Sequence, residues 1–300
     1  MITLNRRPSG PPARRRPAVA ALMTVCALLL AACGSADEER PAAAPDPGTG
    51  HLHGLGVDPA DGTVYAAGHL GVFRLAGSKA VRVADRFQDT MGFTVTGPRT
   101  FLASGHPSPA DRTAASPHLG LIRSTDAGST WTTVSAEGEA DFHSLQKAGE
   151  VLYGFDSQSS QVWVSSDRGS TWDRRARLPV GDLAAHAGKP QRVWATTADG
   201  LQVSEDGGGT FRPVPGSPAL VAIDSPEDGV LIGIGPDGRV LRGTDGRTWT
   251  VSGRLPRGAE PTLLSAVTAD RLLAADSADV VYESKDGGRS WAVLHRPSPA

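Results

Sequence analysis

Cysteine is nearly absent from this chain, which has two cysteines among its 300 residues. Both of them, Cys26 and Cys33, lie close to the N-terminus. A domain built from the residues that follow therefore has no disulfide, no cysteine nucleophile and no cysteine ligand for a metal ion.

Positive charge is also scarce outside the N-terminus. The whole chain has a formal net charge of −2, and its first 33 residues contain five arginines and no acidic residue. Without that segment, 25 basic residues remain against 32 acidic ones, so the formal net charge is −7. Because nucleic-acid binding depends on a basic surface, we expect no nucleic-acid partner.

The chain lacks a hydrophobic run long enough to span a bilayer. Its main apolar stretch, residues 18–32, has 15 residues and follows a cluster of arginines. It ends Leu30-Ala31-Ala32-Cys33, which resembles a bacterial lipobox, in which the cysteine becomes the lipidated first residue. We therefore expect residues 1–33 to be a lipoprotein signal peptide and Cys33 to anchor the protein to the outer face of the cytoplasmic membrane. An ordinary cleaved signal peptide and an uncleaved anchor are the alternatives, and the export route stays open.

Residues 34–50 are small, charged and rich in proline, with little apolar surface to bury. This composition predicts a flexible linker between the anchor and a domain at residues 51–297.

A repeated motif organises that domain. Residues 165–172 read S-x-D-x-G-x-T-W, and related copies occupy residues 124–131, 204–211 and 284–291, with a shortened copy at 244–249. Four of the six tryptophans close a copy. A spacing of 39–41 residues, with strand-like segments between copies, predicts an all-β fold, a β-propeller of four-stranded blades. Division of the domain into strands gives six blades, with five or seven as the alternatives. The aspartates of the copies are Asp126, Asp167, Asp206, Asp245 and Asp286.

We interpret each copy as a structural hairpin turn. Its aspartate accepts backbone N–H groups, its glycine takes a positive φ, and its tryptophan buries against the sheet. The motif resembles the Asp-box, or BNR repeat, of sialidases, sortilin-type receptor domains and photosystem assembly-factor-like propellers. That resemblance implies the fold and not an activity, because unrelated functions share this fold.

The propeller topology collects histidines and acids on one face. The starts of the innermost strands meet the ends of the second strands there, on the face opposite the repeated turns; we call it the top face. Six of the eight histidines map to the top of blades 1 to 3, whereas the repeat itself requires none of them. The predicted binding residues are His51, His53, His69, Asp89, Met91, His106, Asp141 and His143.

These residue types suit a metal ion. Histidine with carboxylate suits zinc, and histidine with methionine suits copper. We expect His53, Met91 and His143 to lie nearest the axis and to be the metal ligands, with copper or zinc as the ion. His118, which ends a long proline-containing loop after His106, is expected to be a rim residue. The only short metal motif is His-x-His, so a protein or carbohydrate partner on the same face is equally compatible with the sequence.

The chain departs from sialidases at their most specific features. The six predicted innermost strands contain no arginine, and the family's Phe/Tyr-Arg-Ile-Pro segment is missing. No arginine cluster can be assembled around Tyr65 or Tyr153, which sit in second strands. We therefore predict a non-catalytic binding or scaffold module. The alternative is a glycoside hydrolase, in which Asp89 and Asp141 would be the carboxylate pair.

The lipobox interpretation is tested by Cys33→Ala. Without the thiol that accepts the lipid, the protein should be released from membranes or should accumulate as an unprocessed precursor. Fractionation of cells and the mass of the isolated protein measure both effects. A Cys26→Ala variant is the matched control and should behave as wild type. A Cys33→Ala protein that is still processed and still membrane-bound would contradict lipid anchoring.

Overall fold

The computed structural model describes residues 46–77 and 79–297. The predicted signal peptide, Cys33 and most of the predicted linker lie outside these residues. In the described part all 24 regular elements are β-strands, and they form six four-stranded antiparallel sheets. The prediction of an all-β, six-bladed propeller is thereby confirmed.

Each blade is a meander of four consecutive strands, of which the first is innermost. Blade 1 contains β1 (Leu52–Val57), β2 (Val64–Gly68), β3 (Gly71–Ala76) and β4 (Lys79–Arg82). Blade 2 contains β5 (Asp89–Gly97), β6 (Thr100–His106), β7 (Leu121–Ser124) and β8 (Thr132–Ser135). Blade 3 contains β9 (Phe142–Ala148), β10 (Val151–Asp156), β11 (Gln161–Ser165) and β12 (Asp173–Arg177).

The second half of the ring repeats this arrangement. Blade 4 contains β13 (Asp182–Ala185), β14 (Val193–Thr197), β15 (Gly200–Ser204) and β16 (Arg212–Pro213). Blade 5 contains β17 (Ala222–Glu227), β18 (Val230–Ile234), β19 (Arg239–Gly243) and β20 (Trp249–Arg254). Blade 6 contains β21 (Pro261–Ala266), β22 (Leu272–Asp276), β23 (Val281–Ser284) and β24 (Ala292–His295). Within the described residues we find no helix with the length and hydrophobicity that a membrane crossing requires.

The hydrophobic core lies between blades. The buried apolar residues of the described part form six clusters, and each cluster is built from two neighbouring blades. Second strands such as β2 and β22 are buried along their whole length because they pack against a blade on both sides, whereas the outermost β12 is largely exposed. The innermost strands approach closely: a Cβ added at Gly54 or Gly56 of β1 would lie within 2.7 Å of side chains of β5.

Each full copy of the motif is a hairpin turn between the third and fourth strands of a blade; we call these the repeat turns. In blade 3, Asp167 Oδ1 accepts the N–H of Thr171 at 2.9 Å, and Oδ2 accepts its hydroxyl at 2.7 Å. Ser165 donates its hydroxyl to Asp167 and accepts the N–H of Gly169 at 2.8 Å. The same bonds recur around Asp126, Asp206 and Asp286.

The glycine of a repeat turn also contacts the preceding blade. Gly169 has a φ of 88°, and a Cβ at this position would come within 2.2 Å of Leu121 in blade 2. Gly246, in the shortened copy, would meet Trp194 of blade 4 at 2.4 Å. Asp245 in that copy still accepts two backbone N–H groups. Glycine is therefore needed for its backbone conformation and because the adjacent blade leaves no room for a side chain.

Side chains close the ring between blades 6 and 1. Asp279 Oδ1 accepts the N–H of Leu52 at 2.9 Å and lies 3.0 Å from His51 Nδ1. Leu52 also belongs to the apolar cluster that blade 1 shares with Leu273 and Val281 of blade 6. No strand passes from one blade to another in the described sheets, so these contacts hold the last blade to the first.

Residues 46–50 pack against blade 1. The Arg82 guanidinium contacts Asp46, Gly48 O and Leu70 O, and it lies over the rings of Phe73 and Phe87 at 4.5 and 4.0 Å from their centroids. The last five residues of the predicted linker are thus fixed to the domain.

The contacts of blade 3's repeat turn predict that Trp172 stabilises the domain. The Trp172 ring packs 4.7 Å from Phe142, and Nε1 donates to Ser135 Oγ of blade 2 at 2.9 Å. Because the ring is half-buried, Trp172→Ala should lower the free energy of unfolding by about 3 kcal/mol, measured by chemical denaturation. A loss below about 1 kcal/mol would contradict this role.

Asp167 gives a separate, pH-dependent prediction. Hydrogen bonds from Thr171 and Ser165 lower the pKa of Asp167 to about 2, below its ordinary value of 3.8. Its stabilising effect should therefore be complete above pH 4 and disappear as the pH falls towards 2. The stability difference between wild type and Asp167→Ala should shrink over that range, whereas Asp173→Ala, an exposed carboxylate outside the turn, should show little difference at any pH. A pH-independent difference for Asp167→Ala would count against the turn mechanism.

Candidate functional site

The inner strands of all six blades surround a central channel with a volume of about 470 Å³. His53 of β1 and His143 of β9 both line this channel, as the sequence predicted. The predicted site lies at the end of the channel where β1, β5 and β9 begin. Met91, the third residue expected near the axis, is a half-buried residue of β5 and is not part of the channel lining.

Three histidines gather at the top of blade 1. The ring centroids of His51 and His53 are 5.2 Å apart because residues two apart project from the same side of a strand. His69 follows β2, whose last residue, Gly68, pairs with Leu52 of β1. This pairing brings the His69 ring to 4.6 Å from His53 and 6.0 Å from His51.

A chain of acids and histidines connects blades 2 and 3. Asp89 and His106 are paired in the β5–β6 register, and Asp89 Oδ2 lies 3.2 Å from His106 Nδ1. His106 Nε2 lies 3.6 Å from Asp141 Oδ2, which is also 3.0 Å from His143 Nε2. Ser157 donates its hydroxyl to the same Asp141 oxygen at 2.8 Å. The His118 ring is 5.5 Å from the His106 ring.

Two sets of three side chains have the spacing of metal ligands. In each set one ligand atom from every member lies within 4.8 Å of the others. Set one joins blades 1 and 2, and set two joins blades 2 and 3. Set one is His53, His69 and Asp89, and set two is His106, His118 and Asp141.

Four atoms of these sets are buried without a hydrogen-bond partner in the described residues. They are His53 Nε2 and Asp89 Oδ1 in set one, and His118 Nδ1 and Asp141 Oδ1 in set two. The Asp141 side chain is only 3% exposed. A buried polar atom without a partner costs about 1–3 kcal/mol, and these four atoms belong to one cluster.

The ionisation of the cluster suits a cation. Burial, followed by the neighbouring His69, His51 and His143, lowers the pKa of His53 to about 3. Burial raises the pKa of Asp141, but hydrogen bonds from His143 and Ser157 outweigh this effect and bring the pKa to about 2. At neutral pH the site therefore contains a neutral imidazole and an ionised carboxylate, which are the ligating forms of both groups.

The carboxylates at the tops of blades 4 and 5 have a different role. Asp182 Oδ2 accepts the N–H of Ile223 from blade 5 at 3.0 Å, and Asp224 Oδ2 accepts the N–H of Ala266 from blade 6 at 2.8 Å. Both residues are half-buried in the channel wall, and the loss of solvation there raises the pKa of Asp182 to about 7 and also raises the pKa of Asp224. Backbone donors occupy these carboxylates, whereas Asp89 and Asp141 each keep an unpartnered oxygen. The ligand-like chemistry is thus concentrated in blades 1 to 3.

Five of the eight predicted binding residues enter the two sets. His51 borders set one and bonds to Asp279, and His143 supports Asp141 from outside set two. The assignment of His143 and Met91 as metal ligands remains a prediction, and His53 is the member of that trio that the geometry places in a set.

Sequence reasoning expected His118 at the rim. The structure places it half-buried beside His106, as a member of set two. The residue precedes β7 in an irregular loop, where strand periodicity gives no direction for a side chain. Backbone bonds from Leu119 to Gly105 and from Gly138 to His118 fold this loop back over blade 2. These long-range bonds have no local sequence signal.

Comparison with known proteins identifies the architecture. No protein-family model matches the chain. A curated xyloglucanase from a Paenibacillus species is 24% identical over 57% of this chain, and the chain spans 23% of that enzyme's length. The GH74 xyloglucanase of Xanthomonas campestris superposes with a TM-score of 0.56 at 22% identity, over 83% of this chain and 38% of its own. YCF48 bound to D1 peptide superposes with a TM-score of 0.51 at 15% identity, over 82% of both chains. At this level of identity the solved structures show that the chain shares the β-propeller fold, and they show the fold alone.

Proposed function

We propose that this protein is an exported, lipid-anchored β-propeller that acts as a non-catalytic binding module, and that its ligand is a transition-metal ion held on the top face. The lipobox at Cys33 supports the anchor. The binding role is supported by the histidine and aspartate cluster of blades 1 to 3, which the repeated architecture does not require.

The observation that carries the proposal is that four residues of the two sets, His53, Asp89, His118 and Asp141, each have a buried nitrogen or oxygen without a hydrogen-bond partner in the described residues. Imidazole nitrogen and carboxylate oxygen are the donors that zinc and copper(II) accept. Asp141 is already oriented by His143 and Ser157, as the carboxylates of metal sites usually are. An ion at this position would satisfy atoms that the protein leaves without hydrogen bonds.

The first described residues of the chain lie beside the histidines of blade 1. The backbone of Thr49 accepts the N–H of Leu70, and a Cβ at Gly50 would touch His69 Cβ at 3.0 Å. The segment that leads from Cys33 therefore joins the propeller beside the histidines. A protein or carbohydrate partner on the top face is the second form of the binding proposal, and YCF48, which shares the propeller fold, was solved bound to D1 peptide.

The metal proposal is tested with the soluble domain, residues 46–297, by titrating zinc and copper(II). Wild type should bind at least one ion. His53→Ala should weaken binding by at least about 100-fold at the site that contains His53, because it removes a ligand, not an outer neighbour. His186→Ala is the matched control, since this channel histidine of blade 4 lies outside both sets. Equal, weak binding of zinc and copper(II) by all three proteins would contradict the metal proposal.

A glycoside hydrolase is the second candidate, and the similarity to xyloglucanases favours it. The ionisation and burial of Asp141 argue against this activity. A general acid must be protonated at working pH, whereas the pKa of Asp141 is about 2 and its side chain is 3% exposed. Without arginines in the innermost strands, a sialic acid carboxylate would also have no bidentate partner.

We therefore expect the pure protein to hydrolyse neither a fluorogenic sialoside nor xyloglucan. Reducing-sugar release and fluorescence measure the two reactions, with a heat-denatured sample as the blank. Turnover that disappears in an Asp89→Asn variant would overturn the non-catalytic proposal and would assign the cluster to glycoside hydrolysis.

A further inference from the structure

We infer that the top-face cluster binds two transition-metal ions, one in each ligand set, and that Asp89 and His106 couple the two sites. This inference rests on the proposed metal-binding function and extends it from one ion to two.

The ligands of set one come from two blades. His53 lies in β1, His69 follows β2, and Asp89 begins β5. His53 Nε2 and Asp89 Oδ1 are buried without a hydrogen-bond partner in the described residues, and His69 is exposed. A first ion would thus sit at the junction of blades 1 and 2, with His69 on its solvent side.

The ligands of set two come from the next junction. His106 ends β6, His118 lies in the loop that follows, and Asp141 precedes β9. His118 Nδ1 and Asp141 Oδ1 are the unpartnered atoms here. A second ion would therefore sit between blades 2 and 3.

The two sets stay separate. Ligand atoms lie within 4.8 Å of one another inside each set, and the six do not merge into a single group. Donors around a tetrahedral zinc ion lie about 3.4 Å apart, given metal–nitrogen distances of about 2.0–2.1 Å. Small side-chain rotations can close a gap of roughly 1 Å within a set, whereas one ion cannot reach all six donors.

Asp89 and His106 connect the sites. Asp89 has Oδ1 free for the first ion, while its Oδ2 lies 3.2 Å from His106 Nδ1. When His106 donates a proton from Nδ1 to this carboxylate, its Nε2 is left as an acceptor that can bind the second ion. Carboxylates commonly orient a metal-binding histidine in this way. Asp89 is thus a ligand of one site and a positioning residue of the other.

Two hydrogen bonds hold the carboxylate of Asp141 in set two. His143 Nε2 and the Ser157 hydroxyl both bond to Asp141 Oδ2. They occupy that oxygen, whereas Oδ1 has no hydrogen-bond partner in the described residues. His143, which was expected to be a ligand, is on this account an outer neighbour, and its replacement should weaken the second site only.

The experiment measures how many ions the domain binds. Residues 46–297 are loaded with zinc, freed of excess ion and assayed by elemental analysis, and cobalt(II) absorption spectra monitor each site. Wild type should hold two zinc ions per chain. His69→Gln and His118→Gln should each hold one, with different cobalt spectra, and the double variant should hold none. His186→Gln, the control, should hold two. Circular dichroism and thermal melting establish that each variant is folded.

The outcomes separate this inference from the proposed function. One ion in wild type overturns the two-site inference and leaves metal binding intact, and no ion overturns both. Loss of both ions from either single variant contradicts the separation of the sites. Asp89→Asn tests the coupling and should weaken zinc binding at both sites. At set two, where Asp89 only positions His106, the loss should be at least about 10-fold. An Asp89→Asn protein with one unaltered site would disprove the link through His106.

Discussion

The packing of each blade against its neighbour is the interaction on which the rest of this structure depends. Every apolar cluster of the described domain is shared by two blades, and no strand crosses from one sheet to the next. A blade alone would expose both faces of its inner strands to water. The repeat turns serve the same interfaces, because glycines such as Gly169 press against the preceding blade. Closure then needs one more interface of the same kind, which Asp279 completes with Leu52.

The site follows from this packing. Innermost strands that approach as closely as β1 and β5 bring the first residues of neighbouring blades together around one opening. A residue at the top of one blade therefore meets residues from the next, as Asp89, His106 and Asp141 do. In blades 4 and 5 the residue at the same position holds two blades together, since Asp182 and Asp224 accept backbone N–H groups of the following blade. Blades 2 and 3 instead leave carboxylate oxygens free, which is the chemical difference between the two halves of the ring.

The sequence predicted those parts that have a local or periodic cause. The spacing of Asp126 to Asp286 predicted a propeller of four-stranded blades, and strand alternation placed His53 and His143 in the channel. It could not predict the partners of Asp89 or the position of His118, because both depend on register between strands and on a loop held by distant backbone bonds. Nor did composition distinguish Asp182, whose carboxylate is bonded to another blade, from Asp141, whose Oδ1 has no partner.

Anomalous diffraction from crystals of the zinc-loaded domain, recorded at the zinc absorption edge, tests the central claim most directly. The account predicts two peaks on the top face, one between His53, His69 and Asp89 and one between His106, His118 and Asp141. A single peak elsewhere, or a top face without any peak in crystals that contain zinc, would contradict it.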